Sequence, residues 1–279
     1  MSETPAGVAF RAAGPLAPLQ RAALWTAGLA GWRRYGFALF LGVLAAAALS
    51  PVDMVPLLVV AFGGLVWLMD GSASRRDAAL LGWSFGFGFF VAGLYWIAAA
   101  LFVDIVQFWW LVPFAVLGLP AGLGIFTALA VLAAHEMSRR FGLLGSGRIL
   151  ALAACWAAAE WLRGHVLTGF PWNLVGYAWA GGFPGALAVL QLSALVGIYG
   201  LSLVTVLAAA LPARLGDLDR GRFWAPVVAV LLIALPAAGG AWRLAGAQRD
   251  TVPGVTLRLV QPSIAQTLKN DPAAERQNF

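Results

Sequence analysis

The chain has 279 residues, of which 61% are hydrophobic and 11% charged, with 18 Lys and Arg against 12 Asp and Glu and a net charge of +6. Soluble domains carry about 25% charged residues, so this deficit, together with several apolar runs near the length of a bilayer crossing, excludes an ordinary water-soluble fold and points to an integral helical membrane protein. The single cysteine, Cys155, excludes an internal disulfide and a CxxC metal site, and the basic residues fall in short segments between apolar runs, where positive-inside topology accounts for them without nucleic acid.

Met1 to Arg34 is of mixed character, with Pro5, Pro15 and Pro18 and arginines at 11, 21, 33 and 34. A signal peptide places its apolar core within roughly its first 30 residues. Here the first long apolar run begins at Tyr35, so it reads as an uncleaved first membrane helix. Helices are predicted over 35–49, 54–69, 78–100, 111–134, 149–162, 185–211 and 223–242. Ser50-Pro51-Val52-Asp53 is a turn, because Pro51 cannot continue a helix and Asp53 can cap the next one. Gly82, Gly86 and Gly93 share one face of the third helix, and Gly118 and Gly122 repeat a small-xxx-small pattern in the fourth. Such positions let another helix approach closely. Residues 102–110 form an aromatic linker that holds Asp104.

The arginines fall on alternate connections: Arg33 and Arg34, then Arg75 and Arg76, then Arg139, Arg140 and Arg148, then Arg214, Arg220 and Arg222. With seven crossings, all of these lie on the side of the N-terminus, which positive-inside topology makes cytoplasmic. The connections 50–53, 101–110 and 163–184 then face outward.

The stretch from Glu160 to Trp179, EWLRGHVLTGFPWNLVGYAW, holds the only acid–base pair in the middle of the chain. Glu160 and Arg163 are three apart and can pair on one helical face. Charges at the edge of an apolar segment need a partner or water. Gly169 and Pro171 stop the helix, and Phe170, Trp172, Tyr177 and Trp179 are side chains that favour a membrane interface. Glu160, Arg163, Phe170, Trp172 and Tyr177 are therefore the candidates for a lipid- or substrate-facing surface; an interfacial aromatic belt is the plainer reading of the same residues. After Trp242, residues 254–261, GVTLRLVQ, alternate apolar and polar side chains as a β-strand does.

Several motifs resemble one family. Glu160-Trp161-Leu162-Arg163-Gly164, Gly169-Phe170-Pro171-Trp172, Gly176-Tyr177 and Gly197-Ile198-Tyr199-Gly200-Leu201-Ser202 are similar to those of the bacterial apolipoprotein N-acyltransferases. So are Ser50-Pro51 with Asp53, and the segment from Leu259 to Lys269, which resembles the opening strand and loop of the family's nitrilase-like domain. The resemblance covers about residues 35 to 272. It implies an all-α membrane bundle of about seven transmembrane helices, 35–242, behind a cytoplasmic segment, 1–34. Residues 243–279 would then start a periplasmic nitrilase-like (carbon–nitrogen hydrolase) domain with its first β-strand. The implied reaction takes an acyl chain from a phospholipid to the N-terminal amine of a diacylglyceryl-modified apolipoprotein, at the inner membrane, with no cofactor and no metal. The family's Glu–Lys–Cys triad makes a thiolate nucleophile beside a base and an oxyanion-stabilising lysine. That triad is expected beyond Phe279, so no catalytic residue is assigned and the 279-residue chain is not expected to catalyse transfer by itself. Cys155 lies among alanines inside a predicted membrane helix, where a thiol is inert. Lys269 and Glu275 read as solvated surface. The rival readings are a non-enzymatic membrane scaffold and a small transporter. A transporter would show inverted repeats, and no such repeat is visible in the sequence.

Overall fold

The apolar runs fold as helices, the form in which a chain in lipid satisfies its own backbone donors and acceptors. The computed structural model describes residues 17–247, 254–261 and 263–264. Its longer helices are α1 (Pro18–Ala27), α2 (Gly31–Ala46), α3 (Leu57–Asp70), α4 (Arg75–Leu94), α5 (Leu119–Phe141), α6 (Ser146–His165), α7 (Ser193–Ala210) and α8 (Trp224–Ala245). Helix α1 falls where the mixed pattern gives no helix. Pro18 stands at its first turn, a position where proline starts a helix instead of breaking one.

Helices α2 to α7 close into a ring. α4 packs between α2 and α5, α5 against α6, α6 against α7, α7 against α3, and α3 against α2. α8 lies outside, on α7 and on the short helix Ala186–Leu190. The centre of the ring is aromatic. Phe62 of α3 and Phe85 of α4 meet Trp156 of α6 edge-on, with ring centroids 5.0 and 5.6 Å apart. All three side chains are buried. Such edge contacts contribute about 0.5–1.5 kcal/mol each beyond area burial. Close packing of α4 on α5 depends on Gly82, where an added Cβ would lie 2.8 Å from the Val131 Cβ, and on Gly86, where it would overlap Thr127. Gly118 and Gly122 do not take this role: nothing lies within 4 Å of a Cβ at Gly122, and the close approach on α5 is made by Gly124 against Trp83 instead.

Among the described residues four helical stretches are long and apolar enough to cross a membrane: Arg75–Leu101, Ile105–Phe141, Ser193–Gly216 and Arg220–Ala245. The chain is a multi-pass membrane protein. The sequence pattern predicts seven crossings, and the remaining three helices differ in kind. α2 has 16 residues and α3 14. α6 has 20 residues but carries Arg148, Glu160 and Arg163, each turned into the protein and buried. The expected linker at 102–110 is itself helical, part of a run of short turns from Tyr95 to Gly118 with Trp109, Trp110 and Phe114 exposed. No strand occurs among the described residues. Residues 254–261 are exposed, with Leu257 at 82% and Leu259 at 96%. Alternation alone does not make a strand, which needs a neighbour to pair with. Lys269 and Glu275 lie outside the described residues.

The connections gather at two ends of the ring. At one end Arg34 donates to the carbonyls of Gly71 (2.9 Å) and Leu68 and to Ser72 Oγ (2.7 Å), closing the C-terminus of α3. Arg148 pairs there with Asp70 (2.8 Å) and Asp217 (2.7 Å), and Arg214 with Asp217 (3.2 Å) and Asp219 (2.5 Å). The arginine-bearing connections thus meet one another. The other end is aromatic: Trp96 and Trp172 lie 5.7 Å apart. Asp53 is at this end and does not cap α3. It accepts from Ser50 Oγ at 2.6 Å, while the helix begins at Leu57 behind Pro56, without a side-chain cap.

Candidate functional site

α6 ends at His165 and the chain turns back on itself. Leu167, Gly169 and Asn173 all have φ between +52° and +74°, which no helix accommodates. Gly169 is required twice over, since its φ is +74° and a Cβ there would meet the Gly164 carbonyl. The loop then runs along the ring mouth to a 3₁₀ turn, Val175–Trp179.

Glu160 and Arg163 share a face of α6, as their spacing predicts, but they do not form an ion pair. Each holds the loop through its backbone. Arg163, 3% exposed, donates from Nη1 to the carbonyls of Phe170 (2.7 Å) and Trp172 (2.6 Å), and its guanidinium lies 4.9 Å from the Phe90 ring centroid. Glu160, 5% exposed, accepts at Oε1 from the Val175 N–H (2.9 Å) and from Trp156 Nε1 (3.1 Å). The physical reason is local supply. The loop turns carbonyls toward the arginine and an amide toward the carboxylate, and each charge takes the polar group aimed at it. A charged partner makes such hydrogen bonds stronger than neutral ones.

α7 holds the far half of the loop. Gly176 N–H donates to Ser202 Oγ (2.8 Å), and Trp179 Nε1 donates to Thr205 Oγ1 (2.9 Å), whose hydroxyl donates to the Leu201 carbonyl (2.7 Å). Asn173 packs against Gly93 of α4, where an added Cβ would overlap its amide. Gly93 therefore serves the loop first, with Ala46 of α2 at ordinary contact distance, 3.9 Å from an added Cβ.

Of the five candidate side chains, Glu160 and Arg163 lie behind the loop, Phe170 is half-buried, and Trp172 (53% exposed) and Tyr177 (39%) stand at the surface. Trp172 and Tyr177 line a cavity of about 440 Å³ with Leu49, Ser50, Pro171 and Asn173. Partial burial raises the Tyr177 hydroxyl pKa above its ordinary value, with Tyr199 and Glu160 acting in the same direction and Arg163 against them. Sequence reasoning passed over Trp156, Asn173 and Thr205. Ser202 was visible within its motif, and Thr205 sits one turn beyond it on the same face. Trp156 and Glu160 are four apart, a spacing that allows the contact.

Cys155 is on α6 away from the loop. Its Sγ lies 3.6 Å from Met137 Sδ, in a hollow lined by Leu129, Ala133, Ala158 and Leu162. None of the described residues around it is a base. Among the described residues no cluster of His, Cys, Asp and Glu could hold a metal ion.

Residues 41–211 match the family described as apolipoprotein N-acyltransferase N-terminal domain. An apolipoprotein N-acyltransferase of Rhodopseudomonas palustris is 44% identical over 244 residues, 85% of this chain and 44% of the relative. One from Brucella suis is 44% identical over 264 residues, 90% of this chain and 48% of the relative. One from Bradyrhizobium diazoefficiens is 45% identical over 253 residues, 88% and 46%. The chain spans about half the length of these curated relatives.

Proposed function

The chain belongs to the apolipoprotein N-acyltransferase N-terminal domain family, and from that membership we propose that it is the membrane part of a lipoprotein acyltransferase of the bacterial inner membrane. The reaction moves an acyl chain from a phospholipid to the N-terminal amine of a diacylglyceryl-modified apolipoprotein. In this reading 1–34 is cytoplasmic, 35–242 crosses the bilayer seven times, and 243–279 opens a periplasmic nitrilase-like domain whose first strand is 254–261. The arginine-rich end faces the cytoplasm and the aromatic end the periplasm.

One observation carries the assignment of the site: the cavity of about 440 Å³ is walled by a loop that buried charges hold in place. Its volume lies in the range of about 300–1,000 Å³ usual for small-ligand sites. Leu49, Pro171 and Trp172 offer an apolar wall to an acyl chain, and Ser50, Asn173 and Tyr177 offer polar groups to what the chain is attached to. Phe170 completes the aromatic surface. The role is positioning, which brings the ester and the lipoprotein amine to the catalytic domain in one orientation. Cys155 is not the acyl carrier.

The test is a chimaera in which this chain replaces the matched half of the Rhodopseudomonas palustris relative, expressed in cells depleted of their own enzyme. We expect N-acylated lipoprotein, detected by mass spectrometry of N-terminal lipopeptides, and at least a tenfold loss of it with Trp172→Ala. A chimaera that reaches the membrane in normal amount but yields only diacyl lipoprotein would overturn the assignment.

A further inference from the structure

Helices α4 and α5 lie side by side, and each is long enough to cross the bilayer alone. Their 20 and 23 residues rise about 30 and 35 Å, against about 30 Å of hydrocarbon. Arg75 at the start of α4 pairs with Glu136 near the end of α5, so α4 starts and α5 finishes at the basic end. Leu94 and Leu119 are then at the aromatic end, and residues 95–118 are surplus to the crossing. Their composition is not that of a loop in water. They hold seven aromatic side chains and a single formal charge, Asp104. Among their described residues only Ala98 is buried. Val106 is 86% exposed, Trp109 65% and Trp110 52%. The first and last turns, Tyr95–Ile97 and Phe114–Gly118, touch each other, so the middle folds out as an arm. The arm is wound into helical turns throughout, which lets the backbone satisfy its own polar groups, as lipid requires. Trp96 Nε1 donates to the Gly93 carbonyl (3.1 Å), whereas no acceptor for the indole N–H of Trp109 or Trp110 occurs among the described residues.

We propose that residues 98–113 form an arm seated in the lipid surface at the aromatic end, at the boundary between headgroups and acyl chains. An exposed apolar surface of this extent marks a contact, and three observations select lipid as the partner. The arm continues the bilayer-facing surface of α4 and α5, and both its ends leave the bilayer at that level. Its tryptophans are of the type that collects at this boundary: the rings sit among acyl chains while the free indole N–H groups donate to ester and headgroup oxygens. It has no Lys or Arg, so its seating does not depend on anionic lipid. Trp96 joins the arm to the loop, with its ring 5.7 Å from that of Trp172. Lipid around the arm is therefore beside the mouth of the cavity of about 440 Å³ that Trp172 lines.

The full chain with Cys155→Ala would carry one nitroxide-labelled cysteine, from Val106→Cys, Trp109→Cys, Leu218→Cys or Leu235→Cys. It would be reconstituted in vesicles of phosphatidylcholine, alone or in equal mixture with phosphatidylglycerol. Leu218, 79% exposed in the connection after α7, reports water at the basic end; Leu235, 66% exposed midway along α8, reports the acyl core. Paramagnetic resonance then compares collisions of each label with dissolved oxygen, which concentrates in lipid, and with a water-soluble nickel chelate. We expect the oxygen-to-nickel ratio at 106 and 109 to be at least fivefold above that at 218, below that at 235, and alike in the two lipid mixtures. A ratio equal to that at 218 or at 235 would put the arm in water or in the hydrocarbon core. Collisions with both reagents at least tenfold below those of the exposed labels would put it under protein, such as a second copy. A high ratio found only with phosphatidylglycerol would call for an anionic surface. Each of these results would overturn the proposal. Acyl transfer plays no part in the measurement, so its outcome is separate from that of the chimaera.

Discussion

Arg148 and Arg163 sit near opposite ends of one helix, both nearly buried, and their charges are met by opposite means. Arg148 is met by two carboxylates, Asp70 and Asp217, from α3 and the connection after α7. Among the described residues Arg163 has no carboxylate within 4.0 Å and is met by two backbone carbonyls and an aromatic ring. The first arrangement ties helices together through side chains and leaves the intervening backbone unspecified. The second fixes backbone: the loop carrying Phe170 and Trp172 has to stay where its carbonyls reach the guanidinium. A buried charge satisfied by main chain is therefore a device for setting loop position, and it stands at the end with the aromatic cavity.

The sharpest way to break the contrast is Arg148→Met. It strands Asp70 and leaves Asp217 to Arg214 alone, and breaking a buried pair in this way costs about 3–5 kcal/mol. We expect a large fall in melting temperature in detergent, with the aromatic end unaltered below the melt. An unchanged melting temperature would mean that the basic end is not a tie. Trp156→Phe acts on the other end. The ring stays in the aromatic centre, but Glu160 loses one of its two donors, for an expected loss of about 1–2 kcal/mol by the same unfolding measurement. Arg75→Gln marks the small extreme. The Arg75–Glu136 pair is only 2.6 Å long but its arginine side chain is 76% exposed, and surface pairs of this kind contribute little. We expect no measurable change in melting temperature, at low or high salt.

The helices were legible because apolar runs and their polar interruptions are properties of the chain itself. The gathering of the arginine connections at one end was legible too, since their alternation leaves no other arrangement for the seven crossings that the sequence pattern predicts. What was hidden depends on partners. Glu160 and Arg163 had the right spacing for a pair, and nothing local reveals that residues 170–175 would supply better-aimed backbone groups to each. Gly93 reads as a helix-packing position, yet its neighbour is Asn173, eighty residues on. The alternation of 254–261 specifies a strand only if a second strand lies beside it. Helix α1 was missed because Pro18 looks like a breaker until its place at the first turn is known.

Hydrogen–deuterium exchange over residues 166–180, compared among the unaltered protein, Arg163→Met and Arg148→Met, tests most directly whether buried Arg163 sets the loop. The Val175 and Gly176 amides are bonded to Glu160 and Ser202, so they are protected only while the loop is seated. We expect Arg163→Met to speed exchange of this segment at least tenfold while Arg148→Met leaves it unchanged at a temperature where both variants are folded. Equal protection in the Arg163 variant and the unaltered protein would contradict the account.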